Sequence, residues 1–354
     1  MTVLDRDWNN FRRTLARLES WGLAESAVSA HLADLGAEAV SRLRHEGTHV
    51  GGVAPTDYER PSKAAVGLFC DKLKRLVKLG GKDLVVSESP ALGGFGHRVH
   101  GDLYNLDTLK HLEVLIALRR GGLLDEMMRA EERRLVVQVG PGWGGFAMQL
   151  KTLCPHLTLV LHSPPESLLL SSVYLMRLFP DARCAFHGPG DPEVEWTDYD
   201  FVFTPGDDSP FLVGPPPHLL VSVQGFESLT GVEVAGMVEW AYEAGCPFLY
   251  SLDTHCADEP DTTAVSVFER AYWPHESRSC RSDSTRCSTD WRWERRSRRE
   301  PGGRRSRSRV TATWSAGGGG FDEHRPASGA WPAGVQPARA PRRGGPDLAR
   351  SALR

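Results

Sequence analysis

The chain has 354 residues, of which 40% are hydrophobic and 25% charged, and a formal net charge of −3. This length fits one large domain or two ordinary ones. Since the chain has no apolar run of about 18 residues and no charged and then apolar amino terminus, we expect neither a membrane span nor a signal peptide. The seven cysteines are scattered, odd in number and without a C-x-x-C pair, which disfavours a disulfide framework and a zinc site and predicts a cytoplasmic protein.

The first third of the chain has the spacing of helices. Phe11, Leu15 and Leu18 stand at positions i, i+4 and i+7, and Asp7 is a plausible N-cap for this stretch. We therefore predict a helical amino-terminal region over residues 1–130. Within it, helices are predicted in 7–46, 62–80 and 105–124, with a linker at 50–61 and a glycine-rich loop at 88–101.

From residue 133 onward, apolar runs of strand length alternate with helical stretches. Such alternation is typical of βαβ units around a parallel sheet, and runs such as "LTLVL" fit strands that are buried on both faces. We predict an α/β fold with a Rossmann-like, doubly wound and mostly parallel sheet over residues 131–276. The predicted strands are 135–139, 157–163, 182–188, 200–205, 218–224 and 246–254, and the predicted helices are 144–153, 165–179 and 230–245.

The segment "LVVQVGPGWGGFAMQL" (135–150) joins a predicted strand to a predicted helix through a glycine turn. Gly140, Gly142 and Gly145 satisfy G-x-G-x-x-G, the dinucleotide fingerprint. Gly140, Gly142 and Gly144 satisfy G-x-G-x-G, the nucleoside-binding turn of S-adenosylmethionine enzymes. In either case a Cβ would collide with a ligand that lies against the backbone. The alternative is a turn that merely connects two elements.

In proteins that bind dinucleotides or S-adenosylmethionine, an acidic residue at the end of the second strand usually contacts a ribose. The sequence here reads "LVLHSPPE", so that His162 or Ser163 stands in the expected place. A serine hydroxyl binds a ribose hydroxyl less strongly than a carboxylate does. Glu166 follows a few residues later, and its alternative role is that of an acidic residue in the first turn of a helix.

The stretch "VVQVGPGWGGFAMQLKTLCPHLTLVLHSPPESLLLSSVYLMRLFPDAR" resembles the bacterial sugar O-methyltransferases, which are class I S-adenosylmethionine-dependent enzymes. The family's first strand ends in Glu before Gly-x-Gly-x-Gly-Gly, and its second strand ends in Asp-x-Pro-Glu. In this chain Gln138 replaces that Glu, and Ser163 replaces that Asp. The resemblance extends over roughly 85–276 and is most specific over 135–182.

Two later segments carry the same resemblance. "GCPFLYSLD" (245–253) resembles a Leu-Tyr-Ser-Leu-Asn segment of the family, and "AYWPHE" (271–276) resembles its Tyr-Trp-Pro-His-Glu stretch. The end of the predicted strand 218–224 departs from the family pattern. "SVQGFESL" (222–229) stands where the family's fourth strand ends in Asn and a Ser-x-Gln-Glu-Met-like turn follows.

The resemblance implies S-adenosylmethionine as the cofactor and a sugar or a glycosylated natural product as the small-molecule acceptor. Trp143, in the glycine turn, is expected to pack beside the cofactor, and packing in the protein core is the alternative for its side chain. The implied cofactor contacts are Gly140, Pro141, Gly142, Trp143 and Gly144 in the turn, and His162, Ser163 and Glu166 after the second strand.

Methyl transfer to a hydroxyl also needs a base that takes the proton. The candidates at or beyond the ends of the predicted strands 218–224 and 246–254 are Glu227, Asp253 and His255. A histidine suits this role because its pKa lies near neutrality, but a solvated loop histidine, a helix-end glutamate and a turn aspartate are the alternatives. Asp258 lies close in sequence, yet the spacing matches no metal-ligand pattern, and we predict no metal.

Two other functions compete with an S-adenosylmethionine-dependent O-methyltransferase. One is an NAD(P)-dependent oxidoreductase. Two features argue against it: no acidic residue ends the second strand, and a long helical segment precedes the glycine turn. The other is a non-catalytic remnant or a nucleic-acid-binding protein that uses the basic tail, where "WRWERRSRREPGGRRSRSR" (291–309) mixes Arg with Trp. We expect nucleic acid not to be the partner, and the sequence does not specify the oligomeric state.

The last 77 residues differ from the rest. Residues 278–354 hold 18 Arg, no Lys and 7 acidic residues, whereas residues 1–277 have a net charge of −14. Such a composition buries too little apolar surface to fold, so we predict that 277–354 is disordered. An arm selected for charge would usually include Lys as well, and the family resemblance stops at residue 276. The tail is rich in Arg, Gly, Pro, Ala and Ser, the residues that GC-rich DNA yields when it is read out of frame, and we therefore predict a frameshift near residue 277. The sheet would then lack the two last strands of a class I methyltransferase, which pair antiparallel at one edge.

Overall fold

The computed structural model describes residues 2–21, 38, 40–46, 55–188, 191, 195–206, 215–254, 272–277 and 288–295. The chain divides into two units, Met1–Arg298 and Arg299–Arg354. All described residues belong to the first unit. The prediction of a disordered tail therefore falls on residues that lie, apart from 277 and 288–295, outside the described part of the chain.

The described part of the amino-terminal region, which excludes 22–37 and 47–54, is mainly helical. Two features were not predicted: a short antiparallel hairpin that begins in the glycine-rich loop, and a helical turn at Thr56–Glu59 within the predicted linker. The hairpin pairs β1 with β2 over three residues of each strand. The elements are α1 (Val3–Glu19), α2 (Leu43–Glu46), α3 (Thr56–Glu59), α4 (Lys63–Gly80), β1 (His97–Val99), β2 (Asp102–Tyr104), α5 (Leu106–Arg120) and α6 (Leu123–Arg129).

The prediction that Asp7 is the first N-cap is wrong. Thr2 is the N-cap of α1, and it forms a capping box with Asp5, in which each side chain accepts a hydrogen bond from the other residue's backbone N–H. Asp7 lies inside the helix and is buried, with an ion pair of 3.0 Å between its Oδ2 and Nε of Arg177. The residue thus ties α1 to a later helix instead of starting α1.

The second half of the first unit is an α/β sheet, which confirms the predicted fold class. Six strands run parallel in the order β5-β6-β4-β3-β7-β8. The strands and helices are β3 (Leu135–Val139), α7 (Gly145–Leu153), β4 (Thr158–Ser163), α8 (Pro165–Leu178), β5 (Cys184–Phe186), β6 (Phe201–Pro205), β7 (Leu219–Val223), α9 (Gly231–Glu243) and β8 (Phe248–Thr254).

Two further strands complete the sheet, so the prediction that it lacks its last two strands is wrong. β10 (Ser288–Arg295) pairs antiparallel with β8, and β9 (Tyr272–Ser277) pairs antiparallel with β10. The chain order is thereby reversed at this edge, since the last strand lies between the two that precede it. A run of mostly polar residues can form such a strand because its backbone groups pair with β8 on one side and β9 on the other.

The core covers both faces of the parallel strands. All five residues of β3 are buried, as expected for a central parallel strand. One face packs against the amino-terminal helices together with α7 and α8, and the other packs against α9. None of the described helices has both the length and the apolarity needed to cross a lipid bilayer.

Candidate functional site

The sheet has one crevice that its topology makes available for a ligand. From β3 the chain continues into β4 on one side, while β7 lies on the other side of β3. In open α/β sheets, ligands bind where the strand order reverses in this way, beyond the carboxyl ends of the strands. The segment that leaves β3 at this point is the glycine turn.

The turn has the backbone geometry that its glycines suggested. Gly140, Gly142 and Gly144 have φ angles of 63°, 54° and 92°, in the left-handed region that side chains disfavour. The N–H of Gly144 donates to the carbonyl of Pro141 at 2.8 Å, which closes the turn just before α7. The first N–H groups of α7 therefore point out of the end of the helix toward the crevice.

The need for glycine at two of these positions comes from packing within the protein. A Cβ on Gly140 would stand 2.4 Å from the Cα of Gly225, at the end of β7. A Cβ on Gly144 would stand 3.3 Å from the Cβ of Ser171 on α8. The turn after β3 and the turn after β7 touch through their backbones at Gly140 and Gly225. This contact explains the glycine at position 140 without a ligand, in line with the alternative of a turn that merely connects two elements.

The Trp143 side chain packs against the helices, in agreement with the alternative of a core role. It is buried, and its Nε1–H donates to Oδ2 of Asp107 on α5 at 3.1 Å. The guanidinium carbon of Arg44 lies 3.5 Å from the ring centroid, and the Tyr174 ring meets the indole edge-on at 5.0 Å. Trp143 thereby fixes the turn to α5 and α8.

At the end of β4 the three predicted contacts are in different situations. His162 is buried, its Nδ1 lies 2.9 Å from Oγ1 of Thr204 on β6, and burial lowers its pKa to about 4. It is therefore a neutral core histidine between two strands. Ser163 is buried at the last position of β4. Glu166 lies in the first turn of α8, and its side chain is outside the described part of the structure.

Asp253, near the end of β8, is the centre of a cluster of hydrogen bonds. Its Oδ1 accepts from the Ser222 hydroxyl at 3.2 Å and from the backbone N–H of Phe226 at 3.0 Å, while its Oδ2 accepts from the Ser251 hydroxyl. The Ser222 oxygen in turn accepts from the N–H groups of Gly225 and Phe226, each at 3.1 Å. The carboxylate is thus held rigidly beside the turn that touches Gly140.

The Asp253 carboxyl has a pKa suited to proton transfer. Its pKa is raised from 3.8 to about 6, chiefly by burial. The hydrogen bonds from Ser251, Ser222 and Phe226 act to lower the pKa, and the negative charge of Glu227 acts to raise it. A base with a pKa somewhat below neutrality is mostly ionised at pH 7 and can still accept a proton. Glu227 is exposed in the short 3₁₀ turn after β7. His255 lies outside the described residues.

Two polar side chains at the crevice, Lys110 and Gln224, were not among the predicted site residues, although the sequence placed Gln224 at this edge of the sheet. Nζ of Lys110, on α5, donates to Oε1 of Gln224 at 2.7 Å and lies 3.1 Å from Oδ1 of Asp107. Gln224 follows β7 with a φ of 61°, a left-handed value that is uncommon outside glycine. The i, i+3 spacing of Asp107 and Lys110 is visible in the sequence, but only the tertiary fold places the pair over the glycine turn.

A buried ion pair behind Trp143 was missed as well. Glu88 and Arg44 are almost fully buried, with 3.5 Å between Oε2 and Nη2. Glu88 also accepts from Nδ2 of Asn105 at 2.9 Å and from the Tyr174 hydroxyl at 3.1 Å. Burial raises the pKa of the Glu88 carboxyl, while Arg44 lowers it. The described residues contain no group of three or more His, Cys, Asp or Glu that could hold a metal ion.

No family model and no curated protein matches this chain. Among solved structures, it is similar to precorrin-6y C5,15-methyltransferase of Geobacter metallireducens GS-15 (11% identity, TM-score 0.33, 50% of this chain and 87% of that one). It is also similar to magnesium protoporphyrin IX methyltransferase of Synechocystis PCC 6803, solved with bound S-adenosylmethionine (9% identity, TM-score 0.36, 64% and 91%).

A third similar structure is human N-acetylserotonin methyltransferase in complex with S-adenosylmethionine, with 13% identity and a TM-score of 0.31, covering 77% of this chain and 68% of that one. Similarity at this level concerns the fold alone.

Proposed function

We propose that the chain is an S-adenosylmethionine-dependent O-methyltransferase whose acceptor is a sugar or a glycosylated natural product. The observation that carries the proposal is the edge of the sheet, where antiparallel β10 lies between β8 and β9. Class I methyltransferases, which the sequence resembles, need such an antiparallel pair of last strands at one edge of the sheet. The glycine turn follows the central strand of the same sheet.

The residues around the turn fit the cofactor at its amino-acid end. The left-handed backbone of Gly142 and the start of α7 offer N–H groups and the positive end of a helix dipole. Lys110 adds a positive charge at the same place. At the ribose end, Ser163 offers a hydroxyl where the family has a carboxylate, so we expect a weaker contact there.

When bound, S-adenosylmethionine would supply a methyl group on a positively charged sulfur, and the broken carbon–sulfur bond would leave the neutral thioether of S-adenosylhomocysteine. The acceptor hydroxyl must lose its proton as its oxygen bonds to that methyl group. Asp253 is our candidate for the base: its carboxylate accepts the proton and becomes a neutral carboxyl group. The raised pKa of about 6 makes this transfer less costly than it would be for an exposed aspartate. Hydrogen bonds from Ser222, Ser251 and the Phe226 N–H keep the carboxylate oriented.

The sugar acceptor is supported by the sequence resemblance only. Its later segments are "GCPFLYSLD", which runs into β8 and contains Asp253, and "AYWPHE", which forms most of β9. Both therefore belong to the edge of the sheet next to the proposed base.

The proposal is tested by methyl transfer from labelled S-adenosylmethionine to a panel of free and glycosidic sugars. We expect labelled product from the native chain and a loss of at least about 100-fold in turnover for Asp253→Asn. Glu227→Ala and His255→Ala, assayed in parallel, compare the two other candidate bases. Full turnover in all three variants would assign the proton transfer elsewhere, and a native chain that labels no sugar would contradict the acceptor class.

A further inference from the structure

Lys110 occupies a place from which it can reach a ligand in the crevice. It lies in the second turn of α5, whose first turn binds the glycine turn through Asp107 and Trp143. Its ammonium reaches Gln224 at the end of β7, so that it spans the gap between the β3 and β7 turns. About a quarter of the Lys110 side chain is exposed, and its partner Gln224 is exposed as well.

The buried carboxylate of Asp107 holds the Lys110 ammonium in position. Asp107 is 4% exposed, and one of its oxygens accepts from Trp143 while the other lies 3.1 Å from Nζ of Lys110. An ammonium has three N–H donors, and Asp107 and Gln224 take two of them among the described residues. These two contacts fix two of the N–H directions. Because the ammonium is tetrahedral, they also fix the direction of the third N–H.

Gln224 faces this ammonium in an unusual backbone conformation. Its φ of 61° is one of only three positive values at non-glycine residues of the described chain, the others being at Leu92 and His100. Strain of this kind collects at ligand-binding sites. Here the strained backbone brings the amide oxygen of an exposed side chain to 2.7 Å from Nζ of Lys110.

We propose that Lys110 and Gln224 bind the amino-acid end of S-adenosylmethionine, with Lys110 holding its carboxylate and the Gln224 amide oxygen accepting from its ammonium. This assignment rests on the proposed function. The existing Lys110–Gln224 hydrogen bond pairs a cation with an acceptor, and a zwitterion placed between them provides an anion for the first and a cationic donor for the second. For Lys110 this replaces a neutral amide oxygen by a carboxylate, and hydrogen bonds between two charged groups are the stronger kind. For Gln224 it replaces one ammonium donor by another.

The test compares two ligands by calorimetric titration of the full-length protein. S-adenosylhomocysteine carries the amino-acid end, whereas 5′-methylthioadenosine has the same nucleoside and lacks both charges. For Lys110→Met we expect the affinity for S-adenosylhomocysteine to fall about 10-fold to 100-fold, while the affinity for 5′-methylthioadenosine changes less than about 2-fold. Lys110→Arg, which keeps the charge, should recover part of the loss.

Lys72→Met is the matched control, since Lys72 forms an exposed ion pair of 2.9 Å with Glu113 on the outside of α4. It should bind both ligands as the native chain does. Equal losses for the two ligands in Lys110→Met, or an unchanged affinity for S-adenosylhomocysteine, would overturn the assignment and leave the cofactor in place. A native chain that binds neither ligand would overturn the proposed function itself, and this assignment with it.

Discussion

Gly140 and Gly225 touch through their backbones, and neither has room for a Cβ. A Cβ on Gly140 would lie 2.4 Å from the Cα of Gly225, and one on Gly225 would lie 2.2 Å from the carbonyl oxygen of Val139. Contacts this short force the backbone to move. The two turns that flank the crevice are therefore positioned by each other, whatever ligand lies above them.

We predict that Gly225→Ala lowers the free energy of unfolding by about 2 kcal/mol or more. The φ of −81° at Gly225 suits alanine, so the loss is due to the clash alone. Denaturant unfolding measures it, and Gly67→Ala is the control, because a Cβ there meets nothing within 4 Å on α4. The control should be neutral or more stable by up to ~1 kcal/mol. Equal stabilities of the two variants would contradict the packing argument.

A second prediction separates backbone strain from ligand contact in the turn. Gly142→Val should abolish binding of S-adenosylhomocysteine, since a β-branched side chain would fill the space above the turn. Gly101→Val is the matched variant: the φ of Gly101 is 98° and thus also left-handed, a Cβ there meets nothing within 4 Å, and the residue lies in the turn of the β1–β2 hairpin. Calorimetry on both folded variants should show loss of binding for the first only. A folded Gly142→Val protein with native affinity would remove the turn from the ligand site.

The third prediction concerns pH. The folded pKa of Asp253 is about 6, above the ordinary 3.8, so the folded state holds this proton more tightly than the unfolded state does. The resulting stabilisation is present below about pH 4 and is lost as the pH rises through about 6. It amounts to at most about 3 kcal/mol. Asp253→Asn does not titrate, so relative to the native chain it should gain stability over this interval.

Urea unfolding of both proteins at several values between pH 4 and pH 8 measures this difference. In the methyl-transfer assay, kcat/KM of the native chain should rise with pH to a plateau, with an apparent pKa near 6. Parallel stability curves for the native chain and Asp253→Asn would mean that the carboxyl is not perturbed, and a flat rate profile would mean that it is not the base.

The fourth prediction concerns the buried pair behind Trp143. Arg44→Met should lower the free energy of unfolding by about 3 kcal/mol, because it leaves the Glu88 carboxylate buried without its cation. Glu88→Gln added to Arg44→Met should recover much of this loss, since the amide carries no charge and still accepts from the Tyr174 hydroxyl. Thermal and denaturant unfolding of the single and double variants form the test. A double variant less stable than Arg44→Met would show that the pair is not coupled through charge.

The central part of the fold could be predicted from the sequence because its signals are local. The apolar run of β3 and the glycines that follow it indicate a strand, a turn and a helix without any knowledge of neighbours, and the predicted bounds of 135–139 agree with the structure. The hairpin at His97–Val99 has too few residues for a periodic signal. β10 was missed because its polar sequence suggests no strand, and its order comes from pairing with β8.

The candidate site was predicted only in part, for a similar reason. Asp253 follows a strand and could be placed at the carboxyl edge. Its partners Ser222 and Ser251 lie on two strands, and their convergence depends on the register between β7 and β8. Lys110 comes from the helical region, more than 20 residues before the turn that it covers, and no local pattern relates the two. His162 was assigned to the edge, whereas its side chain lies buried against Thr204.

The frameshift near residue 277 remains a prediction, and the strand pairing of β10 allows a second test of it. Ser288–Arg295 lies beyond that position and nevertheless pairs with β8 and β9. If the frame changes near 277, resequencing the gene should give a different sequence for residues 278–354. If the frame is intact, the sequence will stand, and the backbone amides of β10 should be protected from hydrogen exchange by their strand partners.

Calorimetric titration of the purified native chain with S-adenosylhomocysteine and, separately, with NAD tests the central claim most directly. The account predicts that S-adenosylhomocysteine binds with a stoichiometry of about one per chain, that Gly142→Val removes this binding, and that NAD gives no heat of binding. Binding of NAD in place of S-adenosylhomocysteine, or of neither ligand by the folded chain, would contradict it.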